Sequence, residues 1–148
     1  MIGLVTDSNI MQAAEIHAIS WRASHRDICS EDFIALHTTE RQLGYLQSQI
    51  DKGTAIYLHS DSGRVVGIVS IQNDLIGDLY VLPSEQRKGY GTTLLRFAMA
   101  KCTGTPTLWV LDHNRQAIRL YERNGFCLTG ERKVLSETLS ELQMSYNE

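Results

Sequence analysis

The stretch VLPSEQRKGYGTTLL, residues 81 to 95, sets two glycines and two cations where a strand hands over to a helix. An apolar β-type run meets Pro83, and Gln86-Arg87-Lys88-Gly89-Tyr90-Gly91 leads into a helical pattern opening near Thr92. A helix N-terminus exposes N–H groups that have no intrahelical partner, and the peptide dipoles add partial positive charge there. Glycine carries no Cβ, so Gly89 and Gly91 let that backbone approach an anion, with Arg87 and Lys88 adding cationic reach. The chemistry on offer is the holding of a phosphate or pyrophosphate. A tight turn with solvated charges would use the same residues. Neither GxxxxGK[ST] nor a full GxGxxG occurs in the chain.

A second group lies downstream. Asn114 can cap a helix running to Asn124, and Gly125 suits the left-handed position that follows. Tyr121 shares a helical face with Ala117 and points inward, which on spacing alone reads as a core aromatic whose hydroxyl finds a backbone partner. Asp78 has the strand parity of Tyr80 and Leu82; it either takes a proton, binds a cation or solvates a strand end. His113, beside Asp112, titrates in a range suited to base chemistry or is an exposed loop histidine. His17 falls on an apolar stripe and reads as a satisfied structural histidine.

The elements that must position these residues follow from periodicity. Ile2 to Val5 reads as a strand, with Thr6, Asp7 and Ser8 as caps for a helix striped by Ile10, Ala14, His17 and Trp21. Thr39 and Gln42 resemble a capping box for a helix that ends near Gly53. Thr54–His59 and Val65–Ile71 flank the turn Asp61-Ser62-Gly63, and Leu75–Leu82 is the next strand. Then come a helix over Thr92–Cys102, a strand over Thr107–Leu111, the helix after Asn114, and strands over Phe126–Thr129 and Leu139–Tyr146. The order is β-α-α-β-β-β-α-β-α-β-β, a mixed α/β domain spanning residues 1–148 without repeat or linker.

Composition narrows the function. A chain of 148 residues with 43% hydrophobic and 21% charged residues is globular. A net charge of −3 argues against a nucleic-acid partner. No run nears the ~20 apolar residues that span a bilayer, so no membrane partner is expected. The N-terminus lacks a signal-peptide pattern, and Cys29, Cys102 and Cys127 have no metal-type spacing. These features point to reduced thiols in the cytoplasm, with the cysteines as core fillers and no metal.

The flanking residues make the glycine loop more specific. Val81-x-Pro83-x-x-Gln86-x-x-Gly89-x-Gly91 resembles the acyl-CoA signature of the GNAT N-acyltransferase superfamily. The segment from Trp109 through Asn114 and Tyr121 to Gly125-Phe126 is similar to that family's later motif, and the element order agrees over essentially the whole chain. The resemblance implies a central, twisted, mostly antiparallel sheet of about seven strands flanked by four helices, with a V-shaped splay between strands 4 and 5. It implies acetyl-CoA as cosubstrate, held by Leu79, Tyr80 and Val81, by Gln86, Arg87, Lys88, Gly89, Tyr90, Gly91 and Thr92, and by Asn114. Tyr121 becomes the general acid toward the departing thiolate, and Asp78 a candidate base. Trp21 and His25 fall where the family selects its acceptor, and histidine at 25 departs from the aromatic residue common there.

The expected activity is direct transfer of an acetyl group to a primary amine of a small molecule in a ternary complex. Acetylation of a protein N-terminus or lysine, and a non-catalytic acyl-CoA sensor, are the alternatives. A homodimer through the C-terminal edge strands is plausible by the same resemblance.

Overall fold

The computed structural model describes residues 1–147. The elements run β1 (Ile2–Leu4), α1 (Ile10–His25), α2 (Glu31–Ala35), α3 (Thr39–Asp51), β2 (Ala55–Asp61), β3 (Arg64–Gln72) and β4 (Leu75–Val81). After a 3-10 turn over Pro83–Glu85 come α4 (Tyr90–Lys101), β5 (Thr107–Leu111), α5 (Arg115–Arg123), β6 (Phe126–Val134) and β7 (Ser140–Tyr146). The strands form one seven-stranded sheet in the order β1-β2-β3-β4-β5-β7-β6. The β4–β5 pair is parallel, and the others are antiparallel.

Alternation along β3 divides the core between the two sheet faces. Ile68 packs with Ile56, Leu58 and Leu46 beneath α1 and α3. Its neighbour Val69 joins Leu94, Leu95, Ala98, Val110 and Met144 beneath α4 and α5. The β2–β3 hairpin turns at Ser62 and Gly63, whose φ values of 53° and 81° are the left-handed pair of a two-residue hairpin loop.

The feature that matters for function is where β4 leaves β5. Their ladder consists of Leu75↔Thr107 and Ile76↔Leu108, whereas β4 stays paired with β3 as far as Gly67↔Val81. The cause lies in the β3–β4 register. Val69 faces Leu79 and Ile71 faces Ile76, so Ser70 stands against both Gly77 and Asp78. This is a β-bulge on β4, which bends a strand and raises its twist. Ser70 Oγ accepts the Asp78 N–H at 2.8 Å, and a Cβ on Gly77 would stand 2.4 Å from that oxygen. Serine and glycine thus fix the bulge together, and the bulge opens the sheet.

Several local expectations are corrected. Five α-helices are present among the described residues instead of four. The addition, α2, has no buried residue and is held by Ser30, whose Oγ accepts the Phe33 N–H, with Glu31 and Asp32 at the favourable N-terminal end. Five residues are too few for a periodic stripe to register. The cap of α3 is Thr38, not Thr39, and its side chain accepts the Arg41 N–H, which frees Gln42 to turn inward. Asn9, rather than Thr6, Asp7 or Ser8, precedes α1. Helix α4 begins at Tyr90, so Gly89 is its cap and Gly91 lies within its first turn. Strand β6 runs on to Val134, and Cys127 on it is exposed rather than a core filler.

Candidate active site

The splay opens one end of a cavity of about 770 Å³, walled by Leu79, Tyr80, Val81, Gln86, Arg87, Gly89, Tyr90, Gly91 and Thr92, and across from them by His113, Asn114, Ala117 and Tyr121. Hydrogen-bond alternation shows which amides face it. Leu82 N–H donates to Val66 O, so the Leu82–Val66 pair is bonded across β3–β4. In an antiparallel ladder the next pair along does not exchange bonds. Val81, and two residues earlier Leu79, therefore turn their N–H and C=O groups away from β3, into the splay.

At the loop, Arg87 (φ 66°) and Gly89 (φ 88°) are both left-handed. A Cβ at Gly89 would meet nothing within 4 Å, so its dihedral, not crowding, is what calls for glycine. Gln86 Nε2 donates to Val81 O at 3.3 Å, tying the loop to the strand. Lys88 does not line the cavity: its Nζ lies 2.8 Å from Glu85 Oε1, while Arg64 holds Oε2 at 3.1 Å. Hydrogen bonds from Arg64, then Lys88, hold the Glu85 carboxyl below its usual range. Tyr90 sends its hydroxyl to Asp61 and sets its ring against His59, so its backbone is what lies at the helix start.

A second cavity, of about 920 Å³, lies on the other side of the junction, between α1, α2 and α3 and the strands β4, β5 and β7. Its walls include His17, Trp21, His25, Phe33, His37, Gln42, Tyr45, Asp78, Trp109 and Glu141. The Trp21 ring lies parallel to both His25 and His37, at centroid distances of 3.8 Å and 3.4 Å, which places the two imidazoles on opposite faces of the indole. Burial lowers the pKa of both histidines, against backbone hydrogen bonds from each ring to Trp21 and Phe33 carbonyls that raise it. Sequence reading found Trp21 and His25 but missed His37, Tyr45 and Glu141, which no local pattern marks. It also assigned His17 to structure alone; the ring is buried, yet it belongs to this wall.

Asp78 sits at the cavity floor. Tyr45 donates to its Oδ2 at 3.0 Å, and His17 Nε2 lies 3.3 Å from the same oxygen. That approach lacks hydrogen-bond alignment, so Nε2 is a buried nitrogen without a satisfied partner. Leaving such a group unpaired costs about 1–3 kcal/mol.

The two cavities share Ser24, Ile28, Leu79, Tyr80, Leu111, Asn114 and Tyr121. Tyr121 is 7% exposed, and burial first, then the Asp78 charge, pushes its hydroxyl pKa upward. It stays protonated at any pH near neutrality. Asn114 caps α5, with Oδ1 accepting the Ala117 N–H at 3.1 Å, while also facing the junction. His113 Nδ1 lies 2.7 Å from Asp112 Oδ1 on the rim.

The model of the acetyltransferase (GNAT) family matches residues 14–126, and the chain belongs to that family. The PaiA N-acetyltransferase from Thermoplasma acidophilum, solved in complex with coenzyme A, superposes with a TM-score of 0.72 at 18% identity over 100% of this chain and 99% of its own. A GNAT-family acetyltransferase from Bacillus cereus gives 0.73 at 15% identity, covering 100% and 96%. A ribosomal-protein-alanine N-acetyltransferase from Brucella melitensis gives 0.70 at 17%, covering 98% of each chain. These likenesses establish the fold. Membership of the family makes acetyl-CoA the cosubstrate. Among the described residues no helix is long and apolar enough to cross a membrane.

Proposed function

We propose that residues 1–148 act as one domain that transfers an acetyl group from acetyl-CoA to a primary amine of a small molecule, by direct attack in a ternary complex. One observation carries this reading: two cavities, one backed by open strand amides and a helix N-terminus, the other by aromatic rings and carboxylates, meet at Tyr121.

When bound, the coenzyme supplies an activated acyl thioester. The residues at hand fit it. The N–H and C=O of Leu79 and the C=O of Val81, free of β3, pair with the pantetheine arm as a further strand would. The first amides of α4 after Gly89, with Arg87, take the pyrophosphate. An N–H at Val81 polarises the acyl carbonyl. Tyr121 donates from its hydroxyl toward the leaving sulfur. Asp78, across the junction, receives the acceptor as an ammonium and takes its proton. Trp21, His25 and His37 wall the acceptor.

A cavity of this size suits a small acceptor, and the open cytoplasm suits an enzyme with three free cysteines. The exposed edge strand β6 is the surface through which a homodimer would pair.

The test is release of free coenzyme A thiol from acetyl-CoA across a panel of amines, with protein N-terminal and lysine peptides included. Turnover with small amines is expected. Turnover with peptides alone would replace the small-molecule acceptor by a protein one, and binding without turnover on any acceptor would make the protein a sensor.

A further inference from the structure

Gln42 and His17 are buried polar residues facing each other between α3 and α1. Gln42 Nε2 lies 2.7 Å from His17 Nδ1. An amide nitrogen only donates, so Nδ1 is the accepting nitrogen, and the proton of the neutral ring sits on Nε2. The rings of Tyr45 and Tyr80, at 5.3 Å and 5.1 Å, wall the imidazole and fix its plane. Nε2 is thereby presented 3.3 Å from Asp78 Oδ2, buried and without an aligned partner. Asp78 is fixed from behind as well, its N–H bonded to Ser70 Oγ in the bulge.

On the reading of Asp78 as the base, we infer that His17 is a positioning residue for it, its Nε2–H held 3.3 Å from Oδ2 as an electrostatic contact short of an aligned hydrogen bond, so that Oδ1 is the oxygen offered to the acceptor. The proton accounting is simple. The ammonium N–H bond breaks and its proton passes to Asp78 Oδ1. The electron pair left on nitrogen forms the bond to the acyl carbon as the C–S bond breaks. The thiolate leaves with the proton Tyr121 donates, and Tyr121 is reprotonated by the second proton lost from the acylated nitrogen. His17 keeps its own proton throughout, and Asp78 later returns the acquired one to water. A histidine present for packing alone would gain nothing from a second nitrogen left facing a carboxylate at the floor of a cavity. Tyr45 is the partner that shares Oδ2, so His17 and Tyr45 grip one carboxylate oxygen from two helices.

The test combines a spectroscopic and a kinetic reading of the whole protein. Nitrogen-15 shifts of His17 should show a protonated Nε2 and an unprotonated Nδ1, and Asp78→Asn should move the Nε2 resonance while leaving Nδ1 in place. In turnover, His17→Phe should lower kcat roughly 10-fold as the carboxylate loses its positioning contact, with acetyl-CoA affinity unchanged. His17→Gln, which keeps a donor at similar reach, should recover most of the rate. The double variant His17→Phe/Asp78→Asn should be no slower than Asp78→Asn alone.

A proton on Nδ1, an Nε2 signal indifferent to Asp78→Asn, or losses that multiply in the double variant would each overturn the inference. The resonances are read without substrate, so they decide the pairing even if His17→Phe misfolds. Should Asp78→Asn turn over as fast as the unaltered enzyme, Asp78 is not the base and the positioning role goes with it. The resonances would still tell whether the pair exists.

Discussion

The two cavities that meet at Tyr121 are made of different material. On the proposed function the coenzyme side is the backbone from Leu79 to Thr92: the Leu79 and Val81 amides face the splay where β4 leaves β5 beyond a bulge at Gly77 and Asp78, and Gly89 admits the left-handed dihedral at the start of α4. The acceptor side is assembled from side chains on α1, α2, α3, β4, β5 and β7. Backbone recognition depends on few residue identities, whereas a wall of side chains depends on each of them. On the proposed function, the difference teaches that coenzyme recognition rests on backbone and acceptor recognition on side chains. Tyr121, shared by both cavities, is where the separation ends.

Substitutions on either side should show that division. The largest effect is expected at Asp78: Asp78→Asn should lower kcat by about 10²- to 10⁴-fold, the range for a general base, while calorimetry shows acetyl-CoA affinity intact. Gly77→Ala drives a methyl against Ser70 Oγ and should cost about 1–3 kcal/mol in denaturant unfolding, with coenzyme affinity falling as the bulge shifts. Gly89→Ala strains the left-handed cap by about 1–2 kcal/mol. It should weaken acetyl-CoA binding roughly 10-fold by calorimetry, with the acceptor KM unmoved. A change in acceptor KM from Gly89→Ala, or in coenzyme affinity from Asp78→Asn, would break the comparison.

The smallest effect is on the acceptor wall and concerns pH. His25 and His37 have folded-state pKa values lowered by burial. The unfolded chain therefore binds protons first, near the ordinary histidine value of about 6.5. Their contribution to stability is complete above that pH and is lost as pH falls below it, until the folded pKa values are passed. Urea midpoints should drop on acidification through this window, and less so in His25→Gln or His37→Gln. An unchanged slope in both variants would contradict the buried-neutral assignment.

The same division explains what could be read from the sequence. The glycine loop was legible because strand, proline, loop and helix are contiguous, and Asn114, Tyr121 and Gly125-Phe126 recur at a spacing the fold imposes. The acceptor wall was not, because periodicity says that His17 faces inward without saying what it meets. Gln42 was taken for half of a capping box; the true cap, Thr38, sits one residue earlier, and that single step turns Gln42 from the helix end into the core. Lys88 was assigned to the anion site although Glu85, three residues before it, lies within reach of an ion pair, and that is where it is found. Cys127 alternates with Phe126 on a strand at the sheet edge, where the face opposite the core meets solvent.

The central claim is that Tyr121 joins a coenzyme site to an acceptor site and serves the chemistry between them. Its most direct test is Tyr121→Phe, with acetyl-CoA affinity measured by calorimetry and amine-dependent thiol release measured on the same preparation. The expected result is coenzyme affinity within about twofold of the unaltered enzyme and turnover reduced at least about 100-fold, the lower end for loss of a general acid. Turnover that survives the loss of the hydroxyl, or acetyl-CoA that does not bind to the unaltered protein, would contradict the account.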